Sequence, residues 1–424
     1  MALKDKLASK KGVLLKNTIM LYILQFSTYI LSFIVVPYET RVLGPTYYGK
    51  LGVATAIMVY FQLVIDFGFI LSATEDVSKN RENRTFLKTI FTSVTISKVI
   101  LSVISVAVLL VLCSFVESWK EDTLFFVLFF IATALNSMIP DYLYRGLEDM
   151  TAITVRTVLI KVFFTCMIFI FLKNPDQLCV IPALNIIGNG TALVCVFYHL
   201  KKKYDISFGR VDLINIKETI SKSSKFFYSR IATTAYTAAN TLIVDLISAN
   251  GASVGYYTSA DKLITTGKSA LSPISDSLYP YMVKNKDFKL VKKVLLIAEP
   301  IIAVFLIVVF IFAEPLCTWF FGAEYGPVAP ILRVMLPIGI IILPSYILGF
   351  PTLTAMGLSK HANYSVIFGS CIHVMNLLIL YFTGHMNAMT LAALITVAES
   401  IILGYRIIVI YLNRDRLNSP GTEG

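Results

Sequence analysis

The sequence predicts an all-α polytopic membrane protein, with twelve transmembrane helices in two six-helix lobes that are related by a parallel internal repeat. The first observation behind this fold class is composition. Of the 424 residues, 56% are hydrophobic and only 15% are charged, and the mean hydropathy is +0.74. Such a balance is typical of chains dominated by long apolar runs. The other two observations are the lengths of the apolar segments and a pattern that recurs halfway along the chain.

Twelve segments are apolar over the length of about 20 residues that a helix needs to cross the hydrocarbon core of a bilayer. We interpret them as helices, because the strands of a membrane barrel would alternate polar and apolar residues over about ten positions. The loops are short, which leaves no room for a soluble catalytic domain. The predicted spans are 17–37, 48–71, 86–115, 122–144, 151–172, 178–200, 223–248, 254–282, 291–313, 329–350, 361–382 and 388–412.

Lysine and arginine are concentrated in every second loop, and this asymmetry predicts the orientation of the chain. Five lysines precede residue 17, and six basic residues lie in loop 201–222, whereas the alternate loops have few or none. Both termini are therefore expected in the cytoplasm, with a basic cytoplasmic linker at 201–222 between lobe 1–200 and lobe 223–424. The net charge of +11 then reflects topology, and we expect no nucleic-acid partner.

A pattern from the first lobe recurs 206 residues later. PTYYGKLGVATAI (45–57) aligns with GASVGYYTSADKL (251–263), which pairs Gly49 with Gly255. The glycines and prolines of the first stretch are expected to fix a tight turn between spans. Because each half contains six spans and begins in the cytoplasm, the two halves are predicted to be parallel repeats.

Helices 7 and 8 carry polar residues at spacings of three and four, so the polar groups of each helix lie on one face. Such a face either lines a wet cavity or forms hydrogen-bonded contacts between helices. The threonines leave both interpretations open, whereas Lys268 has no acidic residue four positions away and favours a cavity. The two stripes are Arg230, Thr234, Thr237, Thr241, Asp245 and Ser248, and Asp261, Thr265, Lys268, Ser272, Asp276 and Tyr279.

Further basic residues are predicted inside the spans, and they favour a cavity suited to a hydroxylated, anionic cargo. On helix 12, Glu399 and Arg406 lie seven residues apart on one face, and we predict a structural ion pair between them. Cysteine and histidine are dispersed without the spacing of a metal or thiol site, so none is predicted. The interior cations are Lys50, Lys98, Lys161, Arg230, Lys262 and Lys268.

Several stretches resemble bacterial polysaccharide flippases, the O-antigen type within the multidrug/oligosaccharidyl-lipid/polysaccharide exporter superfamily. The resemblance covers essentially the whole chain. The stretches that carry it are PYETRVLGPTYYGKLG (37–52), DFGFILSAT (66–74), SVGYYTSADKLI (253–264), LSPISDSLYP (271–280), FGAEYGPVAPILRVMLP (321–337) and AMTLAALITVAESI (388–401).

The resemblance implies a flippase that moves undecaprenyl-pyrophosphate-linked oligosaccharide units from the inner to the outer leaflet of the bacterial inner membrane by alternating access, for O-antigen or capsule synthesis. The lysine of the family's helix-8 pattern falls on Lys262. Expected partners are the lipid-linked oligosaccharide, membrane lipid, the polysaccharide polymerase and the chain-length machinery. No cofactor is expected, although H⁺ or Na⁺ could be coupled to transport.

These considerations give a set of candidate site residues. Tyr236 and Tyr257 are candidate platforms for sugars, and interfacial packing is the alternative for both. Coupling to an ion is assigned to Asp66, Asp245 and Asp261. Diphosphate and sugar binding is assigned to Arg230, Lys262, Lys268, Lys50, Lys161, Thr234, Thr237, Thr241, Thr265 and Ser272.

Two other functions are compatible with a polytopic chain. An ion-coupled drug or cation antiporter of the same superfamily would share the architecture, but its cavity should favour acids. A membrane polysaccharide polymerase would be an enzyme, and it would need a sizeable outer loop with converging catalytic groups. The longest outer loop, 314–328, contains no Lys, Arg or His. The sequence therefore favours a flippase that is not an enzyme.

Overall fold

The structure is a computed structural model that describes residues 10–248 and 251–415; the side chains of 10–15, 18, 228–230 and 232–238 lie outside the description. Within these ranges every regular element is a helix. The α-helices are α1 Lys10–Asp66, α2 Phe69–Lys79, α3 Arg84–Phe115, α4 Glu117–Lys120, α5 Thr123–Met138, α6 Asp141–Gly146, α7 Met150–Phe171, α8 Val180–Tyr204, α9 Leu213–Ile247, α10 Gly251–Asn285, α11 Phe288–Ile311, α12 Ala313–Phe321, α13 Val328–Met335, α14 Pro337–Ile347, α15 Ser359–Thr383 and α16 Ala388–Leu412.

Helix α1 contains two membrane spans. Its 57 residues would measure about 85 Å at 1.5 Å per residue, almost three times the hydrocarbon core. The helix is interrupted at Gly44, where φ is 67° and ψ is 173°. Glycine adopts this conformation without the steric cost that a Cβ would bring, and Pro45 follows it. The turn predicted from the glycine and proline residues is therefore located at Gly44.

Nine helical stretches in the described ranges are long and apolar enough to cross a membrane, and the first of them covers both arms of α1. Helices α9 and α10 are not among the nine because their polar residues lower the hydropathy. Each of them has 35 residues and spans about 52 Å, which exceeds the thickness of the hydrocarbon core. The described helices thus provide the twelve predicted spans.

One compact unit consists of residues 1–43 and 54–234, of which the structure describes 10–43 and 54–234. Its core joins α2, α3, α6, α7 and α8 through buried apolar side chains, among them Phe91 and Tyr142. The non-helical segment 205–212 packs on this core. Ile206 is buried, and the ring centroid of Phe208 lies 4.9 Å from that of Phe91. Residues 201–222, predicted as a linker, are thus helical except for this short segment.

Ion pairs gather at one end of this unit, where the α2–α3 turn, the α6–α7 turn and the segment around 203 meet. Arg81 pairs with Glu148 at 2.6 Å, and the Lys203 ammonium lies 2.6 Å from the Asp149 carboxylate. Burial raises the pKa of Asp149, but hydrogen bonds from Lys203 and Tyr204 outweigh it and hold the pKa below its ordinary value. The basic residues of separate loops are therefore assembled on one side of the unit.

The second compact unit consists of residues 44–53 and 235–424, of which 44–53, 235–248 and 251–415 are described. The residues that follow Gly44 pack against the start of α10. A Cβ on Gly49 would lie 2.6 Å from the Gly251 carbonyl oxygen, and one on Gly255 would lie 1.9 Å from the Pro45 carbonyl oxygen. The repeat-equivalent residues Gly49 and Gly255 therefore bring two helix backbones into direct contact.

Candidate substrate-binding site

The polar stripe of α10 is the best described part of the predicted site. The helix is continuous from Gly251 to Asn285, so the spacing of three and four residues places Asp261, Thr265 and Lys268 on one face. Asp261 and Lys268 are half-buried and Thr265 is exposed. Tyr257, one turn before Asp261 on the same face, is buried, and so are Ala260 and Leu278. This face of α10 is thus buried at Tyr257 and becomes exposed at Thr265.

Lys268 forms an ion pair with Glu399 of α16. The Lys268 Nζ lies 2.5 Å from the Glu399 Oε1, and the side chains are 20% and 5% exposed, respectively. A carboxylate so deeply buried requires a cation or a proton, since an isolated charge in this environment is very costly. Lys268 therefore has a structural partner that lies 131 residues away in the sequence.

This pair corrects the predicted pairing of Glu399 with Arg406. The Arg406 guanidinium instead donates hydrogen bonds to Ser345 and Ser365, with Nη1 2.9 Å from the Ser345 Oγ and Nε 2.9 Å from the Ser365 Oγ. Both serines and Arg406 are buried. Arg406 thus joins α14 and α15 to α16, while Glu399 pairs with Lys268 of α10. The spacing of seven residues did place the side chains of Glu399 and Arg406 on the inner side of α16, the predicted twelfth span.

A second ion pair lies within the other unit, between two of the predicted interior charges. The Lys98 Nζ on α3 lies 3.1 Å from the Asp66 Oδ1, and it also donates 2.5 Å to the Ser137 carbonyl oxygen. The Lys98 side chain is 7% exposed and that of Asp66 is 22% exposed. The carboxylate of Asp66, which was predicted to couple an ion, is thus paired with a buried lysine.

The remaining predicted site residues are distributed along several helices. Lys262 is half-buried on α10 and follows Asp261 in the sequence. The Lys50 ammonium lies 5.6 Å from the ring centroid of Tyr47. Thr241 is buried on α9, whereas the following are half-buried: Lys161 on α7, Asp245 on α9 and Ser272 on α10. The side chains of Arg230, Thr234 and Thr237 lie outside those that the structure describes.

The two tyrosines predicted as sugar platforms have different outcomes. The side chain of Tyr257 is completely buried in the second unit, so no sugar can stack on it in this conformation. Packing, the alternative interpretation, applies to Tyr257. The side chain of Tyr236 is among those that the structure leaves undescribed.

The arrangement around Lys268 consists of charged and hydroxylated side chains. It offers ammonium groups and hydroxyls, which suit charge-assisted hydrogen bonds to phosphate oxygens. In the described part of the chain, no group of three or more His, Cys, Asp or Glu side chains is placed to hold a metal ion. Sequence reasoning missed Glu399 as the partner of Lys268. The one available signal was that Glu399 lies on the inner face of α16, the predicted twelfth span.

Comparison with known proteins identifies the family. Residues 14–286 match the sequence pattern of the family described as polysaccharide biosynthesis protein. The chain belongs to this family. Among its relatives, a protein of Escherichia coli (strain K12) named "Putative O-antigen transporter" is 24% identical over 365 residues, which cover 85% of this chain and 88% of the relative. A protein of the same name from Shigella dysenteriae is 25% identical over 85% of this chain and 91% of the relative.

Solved structures show that this member of the polysaccharide biosynthesis family shares its fold with exporters. An inward-facing multidrug resistance transporter of the MATE family, in the MOP superfamily, matches 93% of this chain and 98% of its own with a TM-score of 0.69 and 13% identity. The lipid II flippase MurJ in an inward closed conformation matches 94% of this chain and 87% of its own with a TM-score of 0.68 and 13% identity. The predicted fold of twelve helices in two lobes is thereby confirmed, as is the predicted resemblance.

Proposed function

We propose that the protein is a flippase that moves undecaprenyl-pyrophosphate-linked oligosaccharide units from the inner to the outer leaflet of the bacterial inner membrane by alternating access. The observation that carries this proposal is a pair of half-buried lysines, Lys262 and Lys268, on a membrane-spanning helix of a chain related to O-antigen transporters over 85% of its length. Placing a charged lysine inside a membrane span has a high free-energy cost, and charged residues within spans are typical of substrate paths.

The chemistry of the cargo fits these lysines. A diphosphate and its sugars cannot enter hydrocarbon, whereas the polyprenyl tail can stay in it. Ammonium and hydroxyl groups on the α10 stripe would replace the water that the headgroup loses, with hydrogen bonds that are strengthened by charge. Lys268 provides the ammonium closest to a buried acid, and Thr265 and Ser272 provide hydroxyls one turn away on the same helix face.

A multidrug or cation antiporter remains the second candidate, because a MATE transporter has the same fold. At 13% identity that similarity concerns the fold alone. Lys262 and Lys268 favour the flippase, because ammonium groups suit a diphosphate and repel a cationic drug. Both curated relatives carry the name of a transporter, so transport without catalysis is the function we propose for this chain as well.

The proposal includes an orientation, two lobes and a set of partners. We place both termini in the cytoplasm, and the lobes at 1–200 and 223–424 with the basic segment 201–222 between them. The gathering of Arg81, Lys203 and their acidic partners at one end of the first unit supports a single cytoplasmic side. A polysaccharide polymerase and the chain-length machinery are the protein partners expected for such a pathway.

Topology can be tested by labelling single cysteines in a cysteine-free background with a thiol reagent that does not cross the membrane. A cysteine at Gln177, between α7 and α8, is expected to be labelled in intact spheroplasts. A cysteine at Asp212, just before α9, should be labelled only after the membrane is opened, because it belongs to the basic segment. The reverse pattern would contradict the proposed orientation.

The function can be tested by complementation. A strain that lacks its own O-antigen transporter should recover surface polysaccharide when this chain is expressed together with the genes for its cognate sugar unit. The same strain with an empty vector should accumulate lipid-linked units in the inner leaflet. Restored tolerance to drugs without restored polysaccharide would favour the antiporter instead.

A further inference from the structure

Two of the ion pairs inside the described spans, Lys98–Asp66 and Lys268–Glu399, are built in opposite ways. In the first unit the buried member is the cation, since Lys98 is 7% exposed and Asp66 is 22% exposed. In the second unit the buried member is the acid, with Glu399 5% exposed and Lys268 20% exposed. A ligand that approaches the second pair therefore meets the ammonium of Lys268 first, with the Glu399 carboxylate directly behind it.

A diphosphate bound at Lys268 would come close to that carboxylate. The Lys268 Nζ already lies 2.5 Å from the Glu399 Oε1, so two anions would share one cation. Like charges at such distances are strongly unfavourable where the surroundings are poorly polarisable, and one of them is then neutralised by a proton. Glu399 is the group that must respond, because its side chain is buried and cannot turn away into water.

Among the described residues, Lys268 is the cation that forms an ion pair with Glu399. Helix α16 packs against α10, α13, α14 and α15. On α10, Asp261 and Lys262 lie about two turns from Lys268. His373 of α15 is fully buried, with its Nε2 3.1 Å from the Asn240 Oδ1, and Arg333 of α13 donates to the Phe310 carbonyl oxygen. The titratable residue of α14 is Tyr346, and Arg406 of α16 is held by Ser345 and Ser365.

We propose that Glu399 takes up one proton when the cargo's diphosphate binds to Lys268, so that the loaded site carries the cargo together with a proton. This rests on the proposed flippase function and assigns a role to Glu399 in it. In the empty site, Lys268 and Glu399 form a pair without net charge. The empty protein can therefore change back to its inward-facing conformation without binding an ion. In the loaded site, the proton neutralises Glu399, and the diphosphate of the cargo replaces the Glu399 carboxylate as the anion that faces Lys268.

The test uses the full-length protein in lipid nanodiscs, with farnesyl diphosphate as the probe. Proton uptake is measured with an indicator dye in weakly buffered solution, and affinity is measured across a range of pH. Wild-type protein is expected to take up about one proton more per bound probe than Glu399→Gln. Its affinity should fall by up to about tenfold for each pH unit as the pH rises, because one proton is linked to binding.

The Glu399→Gln variant should bind the probe at least as tightly as the wild type at pH 8, because Lys268 is then free of its carboxylate. It should also lose the decrease in affinity with rising pH. Glu75→Gln is the matched control, since Glu75 forms an exposed pair with Lys79 at 2.5 Å. This control should show the proton uptake of the wild type. Titration of the diphosphate itself would strengthen binding as the pH rises, which is the opposite sign.

The outcomes separate this inference from the function on which it rests. Binding of the probe with equal proton uptake in the wild type and Glu399→Gln overturns the role of Glu399 and leaves the flippase proposal intact. If the variant does not fold, an affinity of the wild type that stays constant or increases with pH overturns it as well. Failure of the wild type to bind farnesyl diphosphate overturns both the inference and the assignment of Lys268 to the diphosphate.

Discussion

Replacing Lys268 with alanine is expected to abolish surface polysaccharide by two separate effects. The first is structural, because Glu399 is 5% exposed and would be left as an unpaired buried charge. Removing one member of a buried pair costs about 3–5 kcal/mol, so the level of the protein in the membrane should fall. The second effect is the loss of a charge-assisted hydrogen bond to the diphosphate, about 1.5–3 kcal/mol or tenfold and more in affinity.

The double variant Lys268→Ala, Glu399→Gln separates these effects. Removing both charges of a buried pair is often nearly neutral for stability, so the protein level should return to that of the wild type. Surface polysaccharide should nevertheless stay at least about tenfold lower, because the ammonium is still missing. Lys268→Arg keeps the charge but changes its geometry, and it should restore export in part.

Lys79→Ala provides the matched control for this series. Lys79 also forms an ion pair at 2.5 Å, with Glu75, but its side chain is 66% exposed. An exposed pair contributes little to stability, so both the protein level and export should stay at the wild-type value. Normal surface polysaccharide from the well-expressed double variant would refute the assignment of Lys268 as a cargo ligand.

Replacing Gly255 with alanine is expected to destabilise the second unit. The new Cβ would lie 1.9 Å from the carbonyl oxygen of Pro45 and 2.7 Å from its carbonyl carbon. Both atoms belong to the backbone, so the clash is relieved only if the segment after Gly44 moves away from α10. Overpacking of this kind costs about 1–3 kcal/mol or more. The unfolding temperature in detergent and the export of polysaccharide should both fall.

Gly267→Ala is the control in the same helix. A Cβ at this position meets no atom within 4 Å. Because position 267 is exposed and glycine has the lower helix propensity, alanine should stabilise α10 there by roughly 0.5–1 kcal/mol. The unfolding temperature of this variant should match or exceed that of the wild type. An equal unfolding temperature for Gly255→Ala and Gly267→Ala would contradict the close packing at Gly255.

Much of the fold could be predicted because a bilayer allows few solutions. Backbone polar groups cannot stay unpaired in hydrocarbon, so each apolar run of sufficient length has to be a helix. The glycine and proline residues around 44 marked the turn within α1, and the internal repeat paired Gly49 with Gly255. The repeat did not predict that these equivalent glycines would touch, because sequence periodicity carries no information on which helix faces meet.

The candidate site could be predicted only in part, for a related reason. Helical spacing placed Asp261, Thr265 and Lys268 on one face, which depends on a single helix. The partner of Lys268 comes from α16, and no local pattern links two residues that are 131 positions apart. The same limit explains why Glu399 was paired with Arg406 on its own helix, when Arg406 bonds instead to Ser345 and Ser365.

The most direct measurement of the central claim follows the headgroup itself. Purified protein is reconstituted into liposomes that contain a fluorescent, short-chain prenyl-diphosphate-linked oligosaccharide, and the fraction accessible to an external quencher is recorded over time. A flippase should move the labelled lipid between leaflets, so the accessible fraction should change well beyond the half that is exposed at the start. The double variant Lys268→Ala, Glu399→Gln should leave it near half. An accessible fraction that is the same for wild-type protein and protein-free liposomes would contradict the account.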